Sequence, residues 1–235
     1  MAGEEIMHTQ QSTGRGRAPV GPILIGLALA LAAALTPFAH WAKAHLGGLG
    51  PFWSGELPWW IMALALLLYT RFAERQPFAS LGFHAPGGWD IGWAVIFALA
   101  MLLGMIVIAG VVFPMFHLHQ NVAEYHLLTD APFWHRVELV TRAAVCEEIL
   151  FRGYILERIE GLTGSVWIGG LISWALFTYA HLADWGAAQL IIAGFGGALL
   201  TFLYVWRRNL WSNMLTHWLV DGVGFVLMPM LNTHH

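Results

Sequence analysis

Apolar residues in this chain come in long runs, and polar residues collect in the gaps between them. The runs fall at about 19–42, 58–73, 89–114, 133–156, 164–183, 186–206 and 210–231, the second extending back toward Phe52. A helix needs roughly 20 apolar residues to cross a hydrocarbon core, so the pattern predicts an all-α, polytopic membrane helix bundle of about seven transmembrane helices. Residues 1–18 are polar without an apolar period and read as a disordered N-terminal tail. Residues 71–88 mix charge, aromatics, proline and glycine, which fits an interfacial segment better than a crossing. No repeat or second domain interrupts the membrane domain, 19–232.

Composition agrees with lipid as the solvent. Of 235 residues 58% are hydrophobic and 11% charged, more apolar surface than one soluble core of that length can hide. A net charge of -3 without a dense basic patch excludes nucleic acid as a partner. The single cysteine, Cys146, rules out an intrachain disulfide and a thiolate-rich metal site, and packing is its simplest role. With the N-terminus inside, Arg15, Arg17, Arg71, Arg75, Arg152, Arg158, Arg207 and Arg208 fall at the inner side, against Lys43, Arg136 and Arg142 elsewhere. That bias predicts a cytoplasmic N-terminus. Ala42-Lys43-Ala44 has the look of a signal cleavage site, but the run before it is longer than a usual signal core, so it reads as a retained span.

Charged groups near a bilayer centre cost roughly 2.5–3.5 kcal/mol each on insertion scales, so those inside the runs need a partner or a task. Three groups stand out. Glu148 and Arg152 are four apart and share a helical face, while Glu147 points about 100° away. Adjacent carboxylates in one apolar setting repel, which suits one of them to act as a general base; the plainer reading is a wetted helix end with Arg152 as an interfacial anchor. His181 shares a face with Phe177 and Ser173, though a lone histidine at a helix end is commonly interfacial. His217 and Asp221 stand four apart inside the last run, where the carboxylate can orient the ring. Together these groups suit peptide-bond hydrolysis in a water-filled cavity. His117, His119 and His126 share no helical face, Gly194, Gly196 and Gly197 suit close helix approach, the tryptophans near run ends suit an aromatic belt, and His234 and His235 only end the chain.

The order Glu147-Glu148-x-x-x-Arg152, then Phe177-x-x-x-His181, then His217-x-x-x-Asp221 resembles the CPBP family over about residues 70–230, including Leu81-Gly82-Phe83. That family holds the type II CAAX prenyl endopeptidases and the bacterial bacteriocin-processing membrane proteins. The resemblance implies an intramembrane endopeptidase, in bacteria at the inner membrane, acting on a membrane-associated peptide or protein substrate. It implies Glu147 as the base for the attacking water with His181 helping to hold it, Glu148 and Arg152 ordering the site, and His217 with Asp221 at the oxyanion. The eukaryotic prenyl proteases carry Asn where this chain has Asp221, and an ionised Asp cannot donate to an oxyanion, so Asp221 orients His217, stays protonated or binds metal. Glu147, His181 and His217 also form the donor set of a catalytic zinc site, although His-Glu-x-x-His is absent and a glutamate route without metal is preferred. The alternatives are a catalytically silent immunity or chaperone-like partner of the same fold, and a proton-coupled transporter, which would show inverted repeats or broken helix pairs.

Overall fold

The computed structural model describes residues 20–36, 44–49 and 51–231. The predicted N-terminal tail, Arg15, Arg17, Ala42, Lys43, His234 and His235 lie outside those residues. Every predicted run corresponds to a helix among the described residues. These are α1 (Val20–Leu35), α2 (Pro51–Leu68, wound on as a π-helix over Tyr69–Ala73) and α3 (Gly88–Val107, continuing through Ile108–Val112 to Phe113–Met115). A short α4 (Val122–Thr129) precedes α5, which starts at Phe133–Arg142, widens into π-helix over Ala143–Glu147 and Ile149–Leu156, and ends at Glu157–Thr163. Then come α6 (Val166–Ala180), α7 (Gln189–Arg207) and α8 (Leu210–Asp221, continuing to Leu231). No described residue lies in a strand.

Local chemistry sets the ends. Gly164 closes α5 in the left-handed region at φ 72°, and Ser165 caps α6 by accepting from Ile168 N at 3.4 Å. Asn209 caps α8, its Oδ1 accepting from Trp211 N at 3.0 Å and Ser212 N at 3.3 Å. Among the described residues three helices are long and apolar enough to cross a membrane: Gly88–Met115, Gln189–Arg207 and Leu210–Leu231. The chain is an integral membrane bundle, and α3 offers Ile91, Leu99, Leu103 and Ile106 to lipid. Trp89, Trp134, Trp167, Trp206 and Trp211 are exposed within two residues of helix ends, where an interfacial belt requires them.

The centre of the bundle is α5. Its π-helical stretch packs against α1, α2, α6 and α8, and every residue from Ile149 to Leu156 is buried. The segment between α2 and α3 does not cross, but it is more tightly docked than an interfacial strip: Glu74 and Leu81 are fully buried, and Gly82 O accepts from Leu210 N at 2.9 Å. Phe72 and Phe78 remain on its exposed side. Two arginines expected at a membrane edge are internal instead. Arg152 is fully buried, and Arg158 binds Glu74 Oε2 through Nε at 2.8 Å and Ser80 O through Nη1 at 3.1 Å.

Close approach of α6 to α5 depends on Gly169, where an added Cβ would stand 2.6 Å from the Leu156 carbonyl oxygen. Backbone cannot swing aside, so Gly169→Ala is expected to destabilise by about 1–3 kcal/mol. Gly92→Ala, on an open face of α3, should be neutral or stabilise by up to about 1 kcal/mol. Unfolding of both variants in detergent checks the contrast.

Candidate active site

Glu148 lies between the two π-helical stretches of α5 with no solvent exposure. Such a carboxylate requires partners on both oxygens. Oε1 accepts from Arg152 Nη1 at 2.9 Å and lies 3.0 Å from His217 Nδ1, and Oε2 accepts from Asn213 Nδ2 at 3.1 Å. Arg152, also without exposure, spends Nη2 on Gly197 O at 3.0 Å and reaches Thr201 Oγ1 at 3.5 Å. Its guanidinium carbon sits 4.3 Å from the centre of the Phe177 ring, a cation–π contact strengthened by the dry surroundings. Four helices thereby meet on one ion pair.

The glycines of α7 earn their place at this junction. A Cβ at Gly197 would come 2.7 Å from Phe177 Cδ1, so only glycine lets the α7 carbonyl reach Arg152 while Phe177 covers it. Gly194 O accepts from Trp174 Nε1 at 2.7 Å in the same seam.

His217 faces carboxylates on both sides, with Nδ1 toward Glu148 and Nε2 3.4 Å from Asp221 Oδ2. A neutral imidazole donates to one of the two and an imidazolium to both. His181 joins through an aromatic wall: its ring centre is 4.6 Å from that of Phe177, which stands 6.2 Å from that of His217. His181 Nδ1 lies 2.8 Å from Phe177 O, leaving Nε2 as the outward atom.

Glu147 faces another way. Its Oε1 accepts from Arg142 Nη1 at 3.1 Å, and Arg142 Nε binds Glu56 Oε2 on α2 at 2.6 Å. In an α-helix residues five apart diverge by about 140°. The π-helix over Ala143–Glu147 bonds i to i+5 and stacks Arg142 and Glu147 on one side. No hydrogen bond joins Glu147 to His181 among the described residues, and Glu147, His181 and His217 do not gather their donor atoms. The one group of described His, Cys, Asp or Glu residues with ligand atoms within 4.8 Å of one another is Glu56, His135 and Glu138. His117, His119 and His126 form no such group, and Cys146 is fully buried.

Sequence reading missed Asn213, Arg142 and Glu56. Asn213 was within reach of it, since Asn213-x-x-x-His217-x-x-x-Asp221 extends the same helical face by one turn. Arg142 and Glu56 depend on the π turn and on a distant helix.

Residues 129–223 match the family model described as type II CAAX prenyl endopeptidase Rce1-like, and all six expected site residues fall inside that span. Neither the curated proteins nor the solved structures yield a match.

Arg152→Met strands the Glu148 carboxylate in a dry core and is expected to cost about 3–5 kcal/mol. Adding Glu148→Gln should restore part of that loss, with a coupling of about 0.5–3 kcal/mol in a double-mutant cycle. Chemical unfolding in detergent micelles measures both, and strict additivity would show that the pair is not coupled.

Proposed function

We propose that this chain, whose residues 129–223 match the type II CAAX prenyl endopeptidase Rce1-like family model, is an intramembrane endopeptidase that hydrolyses peptide bonds through a glutamate-activated water. The observation that carries the reading is the difference between the two neighbouring carboxylates. Glu148 has both oxygens engaged by Arg152, His217 and Asn213 and is sealed from solvent. Glu147 has no hydrogen-bond partner on Oε2 among the described residues, and 9% of its surface is exposed. A base must have a free oxygen to receive a proton; an anchor must not.

In this mechanism Glu147 takes the proton of the attacking water and later passes it to the leaving amine. Glu148 and Arg152 are positioning residues that fix the His217 ring. His217, its Nδ1 on Glu148, shares its Nε2–H, 3.4 Å from Asp221 Oδ2, with the developing oxyanion. His181 presents Nε2 to the water beside the Phe177 wall. A zinc ion would need Glu147, His181 and His217 to bring three free donors to one point. Among the described residues the ligand atoms of these three do not come within 4.8 Å of one another, and the His217 nitrogens face Glu148 and Asp221. That donor set does not fit, so no step passes through a metal. The bond cleaved belongs to a peptide or protein substrate held at the bilayer.

Cleavage of a membrane-peptide library by purified protein in nanodiscs tests this, with prenylated and unprenylated C-terminal cysteine peptides as separate arms. Glu147→Gln should lower turnover by about 100-fold or more while leaving the fold intact. Equal cleavage by wild type and Glu147→Gln would remove Glu147 as the base.

A further inference from the structure

A second polar cluster lies on α2 and α5, at the end of the bundle where both helices begin. His135 and Glu138 are three apart on α5 and share a face, and Glu56 approaches them from α2. Glu56 and His135 are 8% and 6% exposed. The three line a small cavity with Trp53 and Trp134. Its size admits one water or one small ion and nothing larger.

The outer oxygens of the cluster are already fixed. Trp60 Nε1 donates to Glu138 Oε1 at 2.9 Å, and Arg142 Nε donates to Glu56 Oε2 at 2.6 Å. Glu138 Oε2, by contrast, is buried without a hydrogen-bond partner. Glu56 Oε1 stands 3.9 Å from His135 Nε2, too long for a hydrogen bond. Ligands of one tetrahedral zinc ion stand about 3.4 Å apart, so a shift of a few tenths of an ångström would bring this pair to metal-sharing distance. One oxygen of each carboxylate held from behind, with the other directed inward, is the usual support around a metal.

Charge points the same way. Arg142 binds Glu56 and Glu147, Glu138 lies beside Glu56, and neighbouring Arg136 turns away to Phe225 O at 3.4 Å. Three carboxylates against one cation leave two negative charges in a poorly hydrated place, and a dication cancels them. An imidazole with two carboxylates suits zinc and its first-row neighbours better than calcium or magnesium, which prefer all-oxygen shells.

We propose that Glu56, His135 and Glu138 bind a zinc-like divalent transition-metal cation that fastens α2 to α5, with Arg142 linking the bound ion to Glu147. This goes beyond the proteolytic reading, and its test reads binding without turnover. The full chain, freed of any purification tag and stripped with chelator in detergent, is titrated with Zn2+. Metal content after gel filtration and thermal unfolding are then measured.

One tightly held Zn2+ per chain and a raised unfolding temperature are expected for wild type. His135→Ala and Glu138→Gln should each weaken binding by about tenfold or more. His117→Ala and His119→Ala, exposed and outside the cluster, should bind as wild type does. Co2+ titration of the wild-type protein gives a second readout independent of any variant's folding, through the visible bands of a low-symmetry nitrogen and oxygen site. Absence of Zn2+ binding and of those bands in folded wild type would overturn the proposal. So would unchanged affinity in both His135→Ala and Glu138→Gln, or loss of the ion in His117→Ala or His119→Ala.

Discussion

Everything around α5 is organised by the need to keep one carboxylate ionised where there is no water. Glu148 has no surface exposure, and neither does its partner Arg152. Bringing the two ions out of water costs more than their attraction alone returns, so the remaining lone pairs and N–H groups must also be satisfied. Asn213 and His217 from α8, Gly197 O from α7 and the Phe177 ring from α6 complete that shell. Each contact constrains the separation of two helices. The apolar surface of the bundle faces a solvent as apolar as itself, so this polar junction supplies specificity that greasy packing cannot.

The same constraint divides labour between neighbouring residues. Because Glu148 is used up in holding helices together, its orientation is rigid, and His217 inherits that rigidity through a 3.0 Å contact. Glu147, one position earlier, belongs to a separate network through Arg142 to Glu56. An anchored and a responsive carboxylate thus lie side by side on one helix. Their difference comes from what faces them, not from residue type.

Much of the architecture was legible because lipid imposes long apolar runs, and each run corresponds to a helix beginning or ending close to the predicted place. Boundaries were set by features visible in sequence, such as Gly164-Ser165 between α5 and α6 and Asn209 ahead of α8. The Glu148–Arg152 pair was legible too, because four-residue spacing survives in the folded helix. Arg152 itself was ambiguous: a basic residue near the end of a run reads equally as an interfacial anchor, and only tertiary structure shows Thr201 and Gly197 waiting for it. The facing direction of Glu147 was hidden for a different reason. A period of 3.6 residues was assumed, and the helix departs from it where the site lies. Glu56, 86 positions from Arg142 in sequence, could not be paired with it by any local rule.

The widened stretch of α5 also affects how the protein tolerates change. A π-helix holds about one more residue per turn than an α-helix, so the segment from Ala143 to Leu156 stores chain length that an ordinary helix would lack. Ser173 Oγ donates to Phe151 O at 2.7 Å, so a neighbouring helix takes part in bonding this backbone. Deleting one residue there would let the helix tighten without breaking it. Arg142 and Glu147 would then stand four apart and still share a face if the deletion fell between them, while Glu148 and Arg152, beyond it, would keep their spacing. One residue of length can therefore be lost from this helix with both ion pairs kept, a change that alignment by residue type alone would record as a simple gap.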